Sequence, residues 1–258
     1  MYNQQDTIVN RILVRFGRGS ARIETVIHTE KIKPLGVVVG HFKITGGKLD
    51  QKIERVSLKI FSIIKLKFGM LTRSIKIPIQ NLSFDLNRII EKNSEVYVPF
   101  RFVLSSEIPI TELISKFKSQ TEVFAISSLD IRLAGTPCNT VPLKIHPTRT
   151  VNHYINALSH QGYNLIKYGI EQGVIKLSES KTYSGFYQEL HFKQKTRLKN
   201  KKIKLVFFNS IEDTCCVIDG KCNKGANTVM NTPNSVGYSQ ISNELTNHLQ
   251  SYSLDSLN

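Results

Sequence analysis

Glu95-Val96-Tyr97-Val98-Pro99-Phe100-Arg101-Phe102-Val103-Leu104 holds the pattern that decides the fold. Val96, Val98, Phe100, Phe102 and Leu104 occupy every second position, with Tyr97, Pro99 and Arg101 between them. Successive side chains of an extended strand point to opposite faces, so this period of two makes one apolar face and one face for water. The same period recurs on the N-terminal side. Ile75, Ile77 and Ile79 alternate with Ser74, Lys76 and Gln80, and Val56, Leu58 and Ile60 alternate with Ser57 and Lys59. Val37 to Ile44 reads as a strand closed by Gly46-Gly47, and Ala21, Ile23, Thr25 and Ile27 alternate with Arg22, Glu24 and His28. Between these two lies Lys33-Pro34-Leu35-Gly36, a turn in which Pro fixes φ and Gly is free for an unusual one. Leu129, Ile131 and Leu133 close the series around Asp130 and Arg132. Many short strands with turn signals and no helical stretch between them predict an antiparallel β-sandwich over residues 20–134.

The chain has 258 residues, 40% hydrophobic and 21% charged, which describes a folded protein with room for two cores. Gly135 to Pro142 contains two prolines, Asn and Thr, so residues 135–146 read as a linker. Pro147 can open a helix, because its missing N–H would have no partner there. Val151, Tyr154, Ile155 and Leu158 follow at helical spacing, with Gly162 suited to a left-handed stop. Strands near 164–175, 183–192, 202–208 and 215–218 complete a second β-rich domain, 147–219. Residues 220–258 read as a mobile Asn-, Gly- and Thr-rich loop and a terminal helix bearing Ile241, Leu245, Leu249 and Tyr252. At the other end, residues 1–19 form an N-terminal amphipathic helix in this reading. Its face of Ile8, Val9, Ile12, Leu13 and Phe16 opposes Arg11, Arg15 and Arg18. Such a helix lies on a membrane surface or docks on the neighbouring sheet; docking is preferred, since so short a helix is marginal alone in water.

The formal net charge is +15, and from Asn223 onward the charged residues are Lys224, Glu244 and Asp255 alone. The positive charge therefore sits on the body and favours acidic partners: anionic lipid, an acidic protein or, less strongly, nucleic acid. Tyr183, Phe186, Tyr187 and Phe192 run into Lys193, Lys195, Arg197, Lys199, Lys201 and Lys202. Aromatics beside cations are the ingredients of single-strand binding, although such a run more commonly marks a solvated hairpin tip. Arg11, Arg15, Arg18, Lys195, Arg197, Lys199, Lys201 and Lys202 are thus the candidate partner or anion surface.

No nucleophile elbow, phosphate loop or dinucleotide fingerprint occurs, and Gly17-Arg18-Gly19 precedes a strand rather than a helix. Glu107, Glu112 and Glu122 lie on different predicted elements. His153 and His160 share a helix face but stand two turns apart, too far for an i, i+4 metal pair. Cys215, Cys216 and Cys222 make a poor zinc motif, since neighbours on a strand point to opposite faces; with Cys138 they read as reduced thiols. No long apolar run with a cleavage site is seen near Met1, and no stretch reaches the roughly 20 apolar residues of a membrane span. The expectation is a non-enzymatic cytoplasmic chain, peripheral at the membrane at most, with no cofactor, metal or small-molecule substrate.

Order and spacing of several short blocks resemble a known family. Ala21–Thr29, Pro34 with Gly36, and Gly46-Gly47 with Gln51 and Ile53 resemble the opening of the sporulation stage-zero protein M (SpoOM) family of endospore-forming bacteria. Pro99-Phe100-x-Phe102, Pro109-Ile110-Thr111 and Leu129-Asp130-Ile131 are similar to its next blocks. Ala157-Leu158, Gly162-Tyr163 and Gln188-Glu189-x-x-Phe192 are similar to its second-domain signature. The resemblance spans roughly Arg11 to Phe208. It implies a mainly β, arrestin-like fold of tandem β-sandwich domains with a few short helices, and a scaffold in sporulation control that binds protein partners, including cell-division or cytoskeletal ones. Two features depart from the family: its acidic Asp-Pro-x-Asp-x-Asp run stands here as Thr136-Pro137-Cys138-Asn139-Thr140, and the chain is basic where members lean acidic.

Overall fold

The computed structural model describes residues 20–68, 71–113, 121–131, 136–178, 180–195, 200–220 and 228–254. Strands β1 (Arg22–Ile27), β2 (Val37–Thr45) and β5 (Glu95–Val103) form one antiparallel sheet in the order β1-β2-β5. Facing it is a second sheet, β4-β3-β6-β7, made of β3 (Gln51–Phe68), β4 (Leu71–Ile90), β6 (Thr121–Ile131) and β7 (Cys138–Leu143). The alternation read from the sequence sets which side faces inward: Phe42, Ile44, Val56, Leu58, Ile60, Phe100 and Leu129 are all buried in one core between the sheets. Lone apolar strands are marginal in water; stacking two such faces removes both from solvent.

Helix α1 (Arg149–His160) follows, and then a five-stranded antiparallel sheet in the order β12-β11-β10-β9-β8. Its strands are β8 (Tyr163–Lys176), β9 (Thr182–Lys195), β10 (Asn200–Asn209), β11 (Asp213–Gly220) and β12 (Thr228–Pro233). Helix α2 (Tyr238–Leu254) ends the described chain. Tyr154, Ala157 and Leu158 of α1 and Ile241, Leu245 and Leu249 of α2 pack with Leu190, Phe192, Leu205 and Ile218 of the sheet. The helices are thus the second layer of this unit. Thr148 caps α1, its side chain accepting from Val151 N. Gly162 has φ +80, the left-handed stop expected for it.

Three local expectations change. Residues 138–143, expected as linker, form β7 on the edge of the first sandwich; an edge strand accommodates Pro142, which has no N–H to donate. Within the expected loop after Gly220, residues 228–233 form β12 against β11, while residues 221–227 lie outside the described residues. In the Lys33–Gly36 turn the left-handed residue is Leu35, at φ 59, rather than Gly36. Gly36 is needed for a different reason: a Cβ there would stand 2.9 Å from the Lys33 carbonyl oxygen to which its own N–H donates. The N-terminal helix and Leu133 lie outside the described residues.

The two units meet along residues 104–113 and 144–148. Ile145 O accepts from Thr111 N and Glu112 N, both at 2.9 Å, and the Tyr168 hydroxyl donates to Thr111 O at 3.1 Å. The Gln188 amide brackets the Ile110 peptide, accepting from its N–H at 2.9 Å and donating to its carbonyl at 2.7 Å.

Candidate partner-binding seam

A sandwich has two open borders, and this one treats them differently. On one border β1 and β7 are tied: Thr25 N donates to Asn139 Oδ1 at 3.0 Å, and Thr25 Oγ1 to Ser127 Oγ of β6 at 2.6 Å. On the other, among the described residues β4 pairs with β3 alone and β5 with β2 alone, so both present strand edges there. Here the core is incompletely covered. Ile79, Leu82, Phe84 and Leu86 of β4, and Val96, Val98 and Phe102 of β5, remain half-buried although they pack on the core. Beneath them the Phe42 and Phe84 rings meet edge to face at 5.5 Å, and Phe100 lies 4.6 Å from Phe42 and 5.9 Å from Phe102.

Two devices set the length of this seam. At one end the Gln80 amide joins the sheets, donating to Val103 O at 3.0 Å and accepting from Ser105 N at 2.9 Å. At the other, Gly46 N donates to Ser94 O and Asn93 N to Gly47 O across the turn between β4 and β5. The stretch Ile79–Leu86 contains no lysine, the residue that commonly blocks an exposed edge. A strand edge beside half-covered apolar side chains suits an extended segment, which adds backbone hydrogen bonds and lodges alternate side chains.

Between the units lies a cleft of about 360 Å³, bordered by Pro78, Ile108, Tyr183, Phe186, Tyr187 and Phe208. Its tyrosines are engaged locally: the Tyr183 hydroxyl donates to Phe186 O at 2.7 Å, and a Cβ at Gly173 would stand 3.0 Å from the Tyr187 hydroxyl oxygen. Glu107 and Lys181 are its charged lining residues.

The predicted basic surface is placed only in part. Arg11, Arg15, Arg18, Arg197 and Lys199 lie outside the described residues; Lys195 ends β9, and exposed Lys201 and Lys202 begin β10. Lys202 is paired directly with Lys193 across the hairpin. The next carboxylate on this face, Glu189, is almost buried and already engaged, lying 2.8 Å from His191 Nε2 and 3.1 Å from Lys204 Nζ. The His191 hydrogen bond, then Lys204, hold the Glu189 carboxyl below its usual range despite burial. The aromatics expected among these cations are elsewhere: Phe192 is in the core under the helices, and Tyr183 and Tyr187 pack with Phe208 on the opposite sheet face.

His160 Nδ1 lies 3.1 Å from the Tyr238 hydroxyl, and the Tyr238 ring also meets His153 edge to face at 5.9 Å. The two histidines thus bracket the start of α2. Among the described residues no group of three or more His, Cys, Asp or Glu is placed to hold a metal. Burial raises the thiols of Cys215 and Cys216; Cys222 lies outside the described residues. Among the described residues no helix is long and apolar enough to cross a membrane. The seam itself went unread in the sequence, although Leu82, Phe84 and Leu86 alternate with Asn81, Ser83 and Asp85.

No curated protein matches the sequence. Among solved structures, the crystal structure of the sporulation control protein Spo0M from Bacillus subtilis superposes with a TM-score of 0.76 at 17% identity, covering 91% of this chain and 99% of that one. At this identity the likeness speaks for the fold alone. A DUF4466 family protein from Parabacteroides merdae ATCC 43184 is at TM-score 0.31 and 8% identity, covering 65% of this chain and 55% of that one, and carries no argument. The family model of the SpoOM protein matches residues 9–219, and with that match the chain belongs to the Spo0M family of sporulation control.

Proposed function

We propose that this chain is a non-enzymatic, cytoplasmic scaffold of sporulation control that binds a protein partner as an extended segment along the β4–β5 seam. The observation that carries this reading is the pairing of two strand edges with seven half-buried apolar side chains on the same border of the sandwich. Family membership supplies the cellular setting, and cell-division or cytoskeletal proteins are the partner class suggested by the resemblance. An added strand would cover Leu82, Phe84, Val96 and Val98, and burying such surface stabilises by about 25 cal/mol per Å². Hydrogen–deuterium exchange tests the reading once a partner is captured from sporulating cells. Slowed exchange over 79–86 and 96–103 is expected, and Leu86→Lys, which places a charge at the seam, should weaken capture about tenfold or more. Protection confined to other strands, with capture unaffected by Leu86→Lys, contradicts the seam as the binding site.

A further inference from the structure

The outer face of the β1-β2-β5 sheet carries two histidines in direct contact. His28 Nε2 lies 2.9 Å from His41 Nδ1, and the ring centroids are 4.9 Å apart. Both rings stand on held backbone. His28 directly follows β1, yet its N–H still donates to Val39 O at 2.9 Å, and Val39 N donates to Thr29 Oγ1 at 2.9 Å. His41 belongs to β2 itself, between Val26 of β1 and Pro99 of β5.

The surroundings fix the His41 ring further. The Tyr97 ring of β5 meets it edge to face at 5.4 Å. Tyr97 is tied down in turn: its hydroxyl donates to Glu95 Oε2 at 3.1 Å, and the same carboxylate pairs with Lys43 Nζ at 2.8 Å. Lys43, the next cation along this face of β2, is therefore already paired.

Imidazole nitrogens bind late transition metals at about 2.0–2.1 Å. Two such bonds at a right angle set the nitrogens about 2.9 Å apart, against about 3.3 Å at a tetrahedral angle. The observed separation of 2.9 Å fits the right angle. We propose that His28 Nε2 and His41 Nδ1 chelate a divalent transition-metal ion of the nickel(II) or copper(II) class. Imidazole suits these ions, and right-angled nitrogen donors are their preferred geometry. On binding, the donor ring changes tautomer, carrying its proton on its other nitrogen, and the N–H···N bond gives way to two metal bonds. Among the described residues no third His, Cys, Asp or Glu completes the set, so solvent takes the remaining positions.

Copper(II) oxidises thiols and the chain has four cysteines, so nickel(II) chloride is the probe. Isothermal titration of the full chain should show binding that His28→Gln and His41→Gln each weaken about tenfold or more. His153→Gln with His160→Gln, the two histidines gathered around Tyr238, should leave it unchanged. In 15N-labelled protein the paramagnetic ion should broaden the imidazole resonances of His28 and His41 before those of the other histidines. Matched far-UV circular dichroism establishes that each variant folds. Nickel affinity unchanged in both glutamine variants, broadening that begins at another histidine, or zinc(II) displacing nickel(II) from the pair at equal concentration would overturn the proposal. Because these readouts use no protein partner, their failure leaves the seam untouched.

Discussion

Gly40→Ala isolates the contact on which the core beneath the seam rests. Gly40 lies on β2 opposite Ile27 of β1 and Phe100 of β5. A Cβ built there overlaps the Val26 carbonyl oxygen and stands 2.5 Å from Phe100 Cζ and 3.0 Å from Phe100 Cε2. Restoring ordinary carbon contacts of roughly 3.5 Å requires movements near 1 Å in both neighbours. Neither yields easily. Val26 O belongs to the backbone of a paired strand, and the Phe100 ring is hemmed in by Phe42 at 4.6 Å, Phe102 at 5.9 Å and Phe84 at 6.2 Å. Overpacking of this kind costs about 1–3 kcal/mol. The lower entropy of alanine in the unfolded chain returns about 0.4–1 kcal/mol. The expected net loss is about 1–2 kcal/mol.

Gly173→Ala in β8 is the internal control. Its Cβ would meet only the Tyr187 ring, at 3.0 Å from the hydroxyl oxygen, and that end of the side chain can swing aside. The expected change is within about 0.5 kcal/mol. Urea denaturation followed by circular dichroism, with exchange of the β1 and β2 amides, measures both. A stability of Gly40→Ala equal to that of Gly173→Ala would refute the assignment of Gly40 as a packing requirement.

Three further outcomes concern the second unit and its attachment. Tyr154→Phe removes the partner of the buried Thr232 hydroxyl, 2.6 Å from the tyrosine oxygen, and should cost about 1–3 kcal/mol in the urea transition of that unit. Gln188→Ala releases both hydrogen bonds to the Ile110 peptide, so the Ile110 amide should exchange faster by about tenfold, while the exchange of Phe192 should hardly change. Glu189→Gln should cost about 1–2 kcal/mol at neutral pH, discounted because Lys204 is 34% exposed. Since the folded carboxyl lies below its unfolded value near 4.3, its contribution is complete above that value and disappears as pH falls through the lower folded value. The stability curves of wild type and Glu189→Gln should therefore converge on acidification; parallel curves would count against the ion-pair assignment.

Much of the fold was legible in residue order. The alternation in Val96–Leu104 and Val56–Ile60 named the inward faces correctly, because a period of two is a local property of extended backbone. The spacing of Val151, Tyr154 and Leu158 gave the helix and Gly162 its stop for the same reason. The resemblance to the SpoOM family likewise rested on order and spacing, and family membership now stands on the matched residues 9–219.

Other features are not local. Gly and Pro around residue 138 signal a break, yet β7 forms because β6 offers an unpaired edge, and edge pairing forgives a proline. Tyr183, Tyr187 and Phe192 neighbour lysines in sequence, but the pleat sends the tyrosines and Phe192 to opposite faces of one sheet. The seam exists only because β4 and β5, consecutive in the chain but held in different sheets, border the same core. Sequence fixes each strand's apolar face through its own alternation, whereas which edge remains open depends on how the two sheets close over one another.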